Sequence, residues 1–236
     1  MRPLRTLVFP LVFMALAGAC GRDEPAGALR EIAARQAGPA LADIAAPAGE
    51  YRLDKSHASL VFRVSHIGFS NYTGQFSGFD ATLQFDPDAP EAMSATATID
   101  VSSLLIPAPP EGFHAELMGP DWFNAGAFPQ MTFRSTKVTQ TGPRTATVEG
   151  ALTLLGATAP VTMEAEFLGG YEGFRPYDPN ARIGFSAYGT LSRSDFGFTY
   201  GLPAEGSTMG VGDAVSFQID AEFSGPPAPE QPAPQQ

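Results

Sequence analysis

Cysteine occurs once in the 236 residues, at position 20, so no internal disulfide can form and the fold must rest on packing and hydrogen bonds. Basic residues are scarce, with 14 Lys and Arg against 25 Asp and Glu. The resulting charge of −11, with no basic stripe, excludes a nucleic-acid partner, whose phosphates demand clustered cations. It also argues against adhesion to anionic lipid surfaces. Histidine is limited to His57, His66 and His114, and neither an HxH nor an HExxH pair is present. A zinc site needs three or four ligands at suitable spacing, so no metal is expected. GxSxG is missing, and the glycine-rich stretches "GLPAEGSTMGVG" and "LGGYEG" lack the strand-to-helix setting of phosphate-cradling loops. No acid and base can be paired, so neither catalysis nor a cofactor is expected. The longest apolar run, Leu7 to Ala17, is interrupted by Pro10 and falls short of the roughly 20 residues that a membrane-spanning helix requires.

What is present at the N-terminus has the order of a secretory signal: two arginines, an apolar run, then small residues in "MRPLRTLVFPLVFMALAGAC". Ala17-Gly18-Ala19-Cys20 resembles the lipobox of bacterial lipoproteins, with Ala17 where leucine is more usual. The expectation is a signal peptide over 1–19, with Cys20 acylated as the first mature residue. Each buried methylene of an acyl chain adds about 0.8 kcal/mol to membrane binding. Gly21, not aspartate, follows the cysteine. The expected location is periplasmic, tethered to the outer membrane. Residues 20–48 are alanine-rich and broken at Pro39, which suits a tether, and the proline-rich tail 226–236 has no apolar face to bury.

Between them, over 49–225, apolar residues recur with period two. One face carries Leu60, Phe62, Val64 and His66, the next Phe79, Ala81, Leu83 and Phe85, then Ala97, Ile99 and Val101, then Met131 and Phe133. Val148, Leu152 and Leu154 follow, then Val161, Met163, Ala165 and Phe167, then Ile183, Phe185 and Ala187, then Val215, Phe217, Ile219, Ala221 and Phe223. The pattern predicts about eight antiparallel strands, each with one packed face. Eight strands can close into a barrel, although a two-sheet sandwich alternates in the same way. One stretch, 109–129, departs from the pattern. It predicts a short helix over Glu111–Met118, stopped at Gly119-Pro120, in an insertion placed to cover one mouth of a barrel.

Four segments resemble the YceI-like, polyisoprenoid-binding proteins of bacteria: "YRLDKSHASLVFRVSHIGFSNYTGQFSGF" at 51–79, "LMGPDWFNAGAFPQMTFRST" at 117–136, "VEGALTLLGATAPV" at 148–161 and "SRSDFGFTYG" at 192–201. The resemblance implies an extended, lipocalin-like antiparallel barrel whose apolar channel holds an isoprenoid, such as a polyprenyl phosphate or a quinone tail. The family often has an acidic residue and a histidine before the leucine matching Leu117; here the stretch reads His114-Ala115-Glu116-Leu117.

The inward residues expected to contact such a lipid are Phe62, Val64, His66, Leu83, Phe85, Ile99, Phe133, Leu154, Met163, Phe185 and Phe217. Alternation cannot tell a lumen from a filled core, so a structural or stress-protective protein with a packed interior stays open, and a lipid-modifying enzyme stays behind it. His66 fits either a hydrogen-bonded core position or a contact to a polar head. Asp54 and His57, with Arg193 and Asp195, are expected to form a buried polar cluster that fixes closure. The oligomeric state is left open, a dimer included.

Overall fold

The computed structural model describes residues 41–228 of the chain. Cys20, the signal segment and most of the expected tether and tail lie outside the described residues.

Ten strands form one antiparallel sheet that closes on itself. In chain order they are β1 (Gly49–His66), β2 (Ser70–Phe76), β3 (Phe79–Phe85), β4 (Ser94–Asp100), β5 (Leu104–Leu105), β6 (Gln130–Gln140), β7 (Thr145–Leu154), β8 (Ala157–Tyr171), β9 (Asn180–Ser192) and β10 (Val211–Pro227). Closure comes from pairing of the first strand with the last, with Phe62 opposite Phe217 and Val64 opposite Val215.

Ten strands make an eight-stave barrel because two of them are continuations. The far half of β1 pairs with β2 and its near half with β3, so β2 and β3 form one stave interrupted at Ser77-Gly78. Likewise β5 continues the line of β4, pairing with β2 while β4 pairs with β3. A barrel of this number leaves an interior that side chains can fill or that can hold one small ligand.

The helix α1 spans Phe113–Met118, two residues shorter than the sequence suggests. Gly112, at φ 77°, adopts a left-handed conformation that α-helix does not use, so the helix starts after it. Val101 leaves the strand for a short 3₁₀ turn, held where the Ser102 amide donates to the Asp100 carboxylate at 2.9 Å.

Two apolar clusters occupy the ends of the barrel. The first joins Phe76, Ile99, Val101, Leu104, Leu117, Met131, Leu154, Phe196 and Phe198, with Trp122 and Phe123 of the insertion packed on it. The second is an aromatic base: ring centroids are 5.3 Å apart for Tyr51 and Phe85, 6.3 Å for Phe85 and Phe167, and 5.4 Å for Phe167 and Phe185. Leu41 and Ala46 are buried against this base, and the Tyr51 hydroxyl donates to the Pro47 carbonyl at 2.8 Å. The last residues of the sequence-assigned tether therefore pack on the barrel.

Candidate functional site

Between the two clusters lies a cavity of about 700 Å³, lined by side chains from strands all round the barrel. Ligand cavities typically enclose roughly 300–1,000 Å³. The void is visible in the wall itself. Leu60, Phe62, Val64, Leu83, Ala97, Phe133, Met163, Ala165 and Phe217 all line it and yet are only half-buried. A side chain inside a closed barrel keeps accessible surface only where empty space adjoins it. The interior is therefore not packed at the density of a protein core.

Two features of the sequence hold that space open. Alanines 81, 97, 146, 165 and 187 stand at inward positions of the wall, some directly opposite one another, as Ala81 and Ala97 or Ala165 and Ala187. In addition, inward rings lie flat on the wall wherever a neighbouring strand offers glycine. Phe62 covers its cross-strand partner Gly74, where a Cβ would run into the ring. Phe217 covers Gly189 in the same way, and a Cβ there would stand 2.6 Å from the ring. Any larger residue at these glycines would push the ring towards the lumen.

Ten of the eleven expected contact residues line the cavity: Phe62, Val64, His66, Leu83, Ile99, Phe133, Leu154, Met163, Phe185 and Phe217. Phe85 does not. It is 2% exposed and its ring packs against Tyr51, Phe167 and Phe185 in the aromatic base. Alternation put Phe85 on the inward face correctly but could not tell that this end of the bore is plugged. His66 is exposed, at the rim, and not part of a hydrogen-bonded core. His114, on α1, lies with its Nε2 3.0 Å from the Leu104 carbonyl oxygen and so ties the helix to β5.

Several lining residues were not legible as such. Tyr72 sits on β2, a strand whose alternation is hidden because its inward positions are Tyr72, Gly74 and Phe76. Arg144 lies in the "QTGPR" turn, where only the turn chemistry is apparent. Phe113, Trp122 and Phe123 come from the insertion, which does reach the cavity. Among the described residues, three buried side-chain polar atoms have no hydrogen-bond partner: Tyr72 Oη, Trp122 Nε1 and Arg144 Nη1. All three residues line this one cavity.

The expected polar cluster splits in two. Arg193, 3% exposed, donates from Nε to the Gly212 carbonyl at 3.0 Å and from Nη2 to the carbonyls of Tyr200 and Val211 at 2.8 and 3.1 Å. Its guanidinium also lies over the rings of Phe198 and Trp122. Burial pulls its pKa below the ordinary arginine value, with Asp213 opposing. Asp195 is exposed and takes no part. Arg193 is the pin of the β9–β10 connection, with carbonyls rather than an acid as its partners.

Asp54 and His57 belong to an ion-pair cluster on β1, away from the lumen. Asp54 Oδ2 is 3.1 Å from His57 Nδ1 and 2.5 Å from Arg182 Nη1, and Ser56 Oγ donates to Asp54 Oδ1 at 2.6 Å. Bonds from Ser56, His57 and Arg182 hold the Asp54 carboxyl well below the usual carboxylate range. Aspartate, serine and histidine thus meet, but not as a nucleophile and its base. Ser56 Oγ is 3.2 Å from Nδ1, the same nitrogen that Asp54 approaches, whereas a triad places hydroxyl and carboxylate on opposite ring nitrogens. With Glu222 the cluster brings potential metal-ligand atoms within 4.8 Å of one another, but a guanidinium already occupies the Asp54 oxygen that a cation would take. Tyr51, in the base, has its pKa pushed up to about 12 by burial.

A family model described as a YceI-like domain matches residues 51–223. Protein YceI of Salmonella arizonae is 38% identical over 163 residues, 66% of this chain and 80% of the relative. Among solved structures, BcnA of Burkholderia cenocepacia superposes with a TM-score of 0.59 at 25% identity, covering 72% of this chain and 98% of that one. A polyisoprenoid binding domain from Saccharophagus degradans shares the fold, with a TM-score of 0.55 at 13% identity over 76% of this chain and all of that one.

Proposed function

The chain belongs to the YceI-like family, and on that premise we propose that it is an exported lipid-binding protein. It holds one long apolar chain, of the isoprenoid class, inside the barrel. The observation that carries this reading is the apolar cavity of about 700 Å³, bounded by an aromatic base and an insertion. Apolar burial contributes about 25 cal/mol per Å², so a tail of several isoprene units binds such a wall without specific polar contacts. The polyisoprenoid-binding neighbour, of the same fold, supports the ligand class. The signal-like first 19 residues and Cys20 support export and acylation, and Gly21 after the cysteine supports attachment to the outer membrane. The protein on this reading is a carrier or store, not a catalyst, and the ordering of Asp54, Ser56 and His57 outside the lumen is in keeping with that.

The test is native mass spectrometry of the full-length protein extracted from its own membranes in mild detergent. An adduct that fragments to an isoprenoid is expected. Repeated recovery of the bare protein mass from such extracts would refute the reading in favour of a structural role.

A further inference from the structure

The three unpartnered polar atoms of the cavity divide between its ends. Tyr72 and Trp122 both line the insertion end. Tyr72 lies opposite Val64 on β1 and packs its ring edge-to-face on Phe113 of α1. Trp122 packs on Phe198 and Tyr200, and its ring comes within 3.9 Å of the point where a Gly201 side chain would start, as does Val211, the strand partner of His66. Arg144 belongs to the base, where its Nε donates to the Phe167 carbonyl at 2.8 Å and Nη2 donates to the same oxygen.

A buried N–H or O–H left without a partner costs roughly 1–3 kcal/mol, so two of them at one end of an apolar bore call for an acceptor. A water could accept from these two donors, but the rings packed on them, Phe113 and Phe198 with the exposed Tyr200, leave its own hydrogens without a buried acceptor. Nor is the acceptor an anion. The cation at this end, Arg193, is committed to three backbone carbonyls, and Asp213 lies close enough to act on its charge. A phosphate would enter without a counter-ion, and burying an uncompensated charge is far more costly than burying a dipole. At the base, Arg144 is no free receptor either, since Glu166 Oε1 lies 3.7 Å from its Nη2 and would repel an anionic head.

We propose that Tyr72 Oη and Trp122 Nε1 form the polar end of the lipid cavity and hydrogen-bond a neutral oxygen acceptor on the ligand, a hydroxyl or carbonyl rather than a phosphate. The head then sits under the insertion and the tail runs towards the aromatic base. This assignment rests on the reading of the cavity as a site for an apolar chain.

One series on a constant tail tests both levels: farnesol, farnesyl phosphate and the headless hydrocarbon farnesene, each titrated into the delipidated full chain. Trp122 is the only tryptophan, so its emission reports the insertion end directly, and calorimetry gives the affinities. Farnesol should bind about 5- to 30-fold more tightly than farnesene, the span of one or two neutral hydrogen bonds at about 1 kcal/mol each, and should bind more tightly than farnesyl phosphate. Tyr72→Phe, which removes one oxygen and leaves the ring packing, should cut farnesol's advantage by about 5-fold, one bond's share, without changing farnesene. If farnesyl phosphate binds most tightly and Arg144→Met, but not Tyr72→Phe, removes its advantage, the head lies at the base and the proposal is wrong. Equal binding of farnesol and farnesene, unaffected by Tyr72→Phe, overturns the head assignment alone. Failure of all three to bind overturns the lipid cavity itself.

Discussion

Replacing Ala97 by leucine separates an open bore from a filled one, because the two give opposite signs. Ala97 lines the cavity, faces Ala81 on β3 and Phe133 on β6, and is only half-buried. Leucine adds three carbons to a space that already exists. At about 0.8 kcal/mol per buried methylene, that is a gain of about 2 kcal/mol. Ordering the new side chain takes back about 0.5–1 kcal/mol. The delipidated variant should therefore be more stable than the parent by about 1–2 kcal/mol. The same carbons deny the ligand an equivalent contact, so lipid affinity should fall roughly 30-fold, about 2 kcal/mol. Urea unfolding followed through Trp122 measures the first quantity, and titration with farnesene the second. In a packed interior the added carbons would have nowhere to go, and overpacking costs about 1–3 kcal/mol. A destabilised Ala97→Leu, or one that is stabilised but binds lipid as before, would show that the void is not the binding site.

Phe185→Asp should abolish lipid retention, but Phe185 also packs on Phe167 and Phe223 of the base, so a loss of about 3–5 kcal/mol of stability is expected with it; Met163→Asp, judged by native mass spectrometry in a variant whose circular dichroism is unchanged, removes that ambiguity. Arg193→Lys should lower stability by about 3 kcal/mol in urea unfolding, because a lysine ammonium cannot fork to the carbonyls of Gly212, Tyr200 and Val211 at once; near-parental stability would mean that the pin is dispensable. Asp54→Asn should cost about 1 kcal/mol at neutral pH, as expected of a partly exposed ion pair. Since the folded Asp54 pKa is depressed, that contribution is complete above the ordinary carboxylate value and disappears as pH falls below it towards the folded value, so parent and variant should converge in acid; a gap that persists there would refute the ion-pair origin. Cys20→Ser should move the protein from the membrane to the soluble periplasmic fraction, and a parent chain already soluble there would rule out the acyl tether.

Much of the barrel was legible because alternation is a direct image of a sheet with one covered face. Phe79, Ala81, Leu83 and Phe85 read as a strand and are β3. What stayed hidden is instructive in physical terms. β2 carries Gly74 at its central inward position, and a glycine that exists to let Phe62 lie down contributes no hydrophobic signal. The stave count came out right for the same reason that two strands were missed, since β2 shares a stave with β3 and β5 with β4. At the site, periodicity named the wall but not the plug: Phe85 and Phe133 occupy equivalent positions in the pattern, and only the packing of Tyr51, Phe167 and Phe185 distinguishes the end from the middle. The polar ends were beyond its reach altogether. Tyr72 lay in β2, one of the two unseen strands, Trp122 in an aperiodic insertion, and Arg144 in a turn.

The pairing of β1 with β10 also governs how the molecule is made. Phe62 and Phe217 are neighbours in the wall but lie at opposite ends of the folded sequence, so the seam joins the first strand to the last one to be synthesised. Until β10 arrives, β1 and β9 are open edges, with no partner for their outward amides and carbonyls. Pairings so distant in sequence pay their loop-closure entropy before any contact rewards it, which makes folding slow. Closure is thus a late and cooperative step, and a chain released without its last strand has no smaller barrel to fall back on.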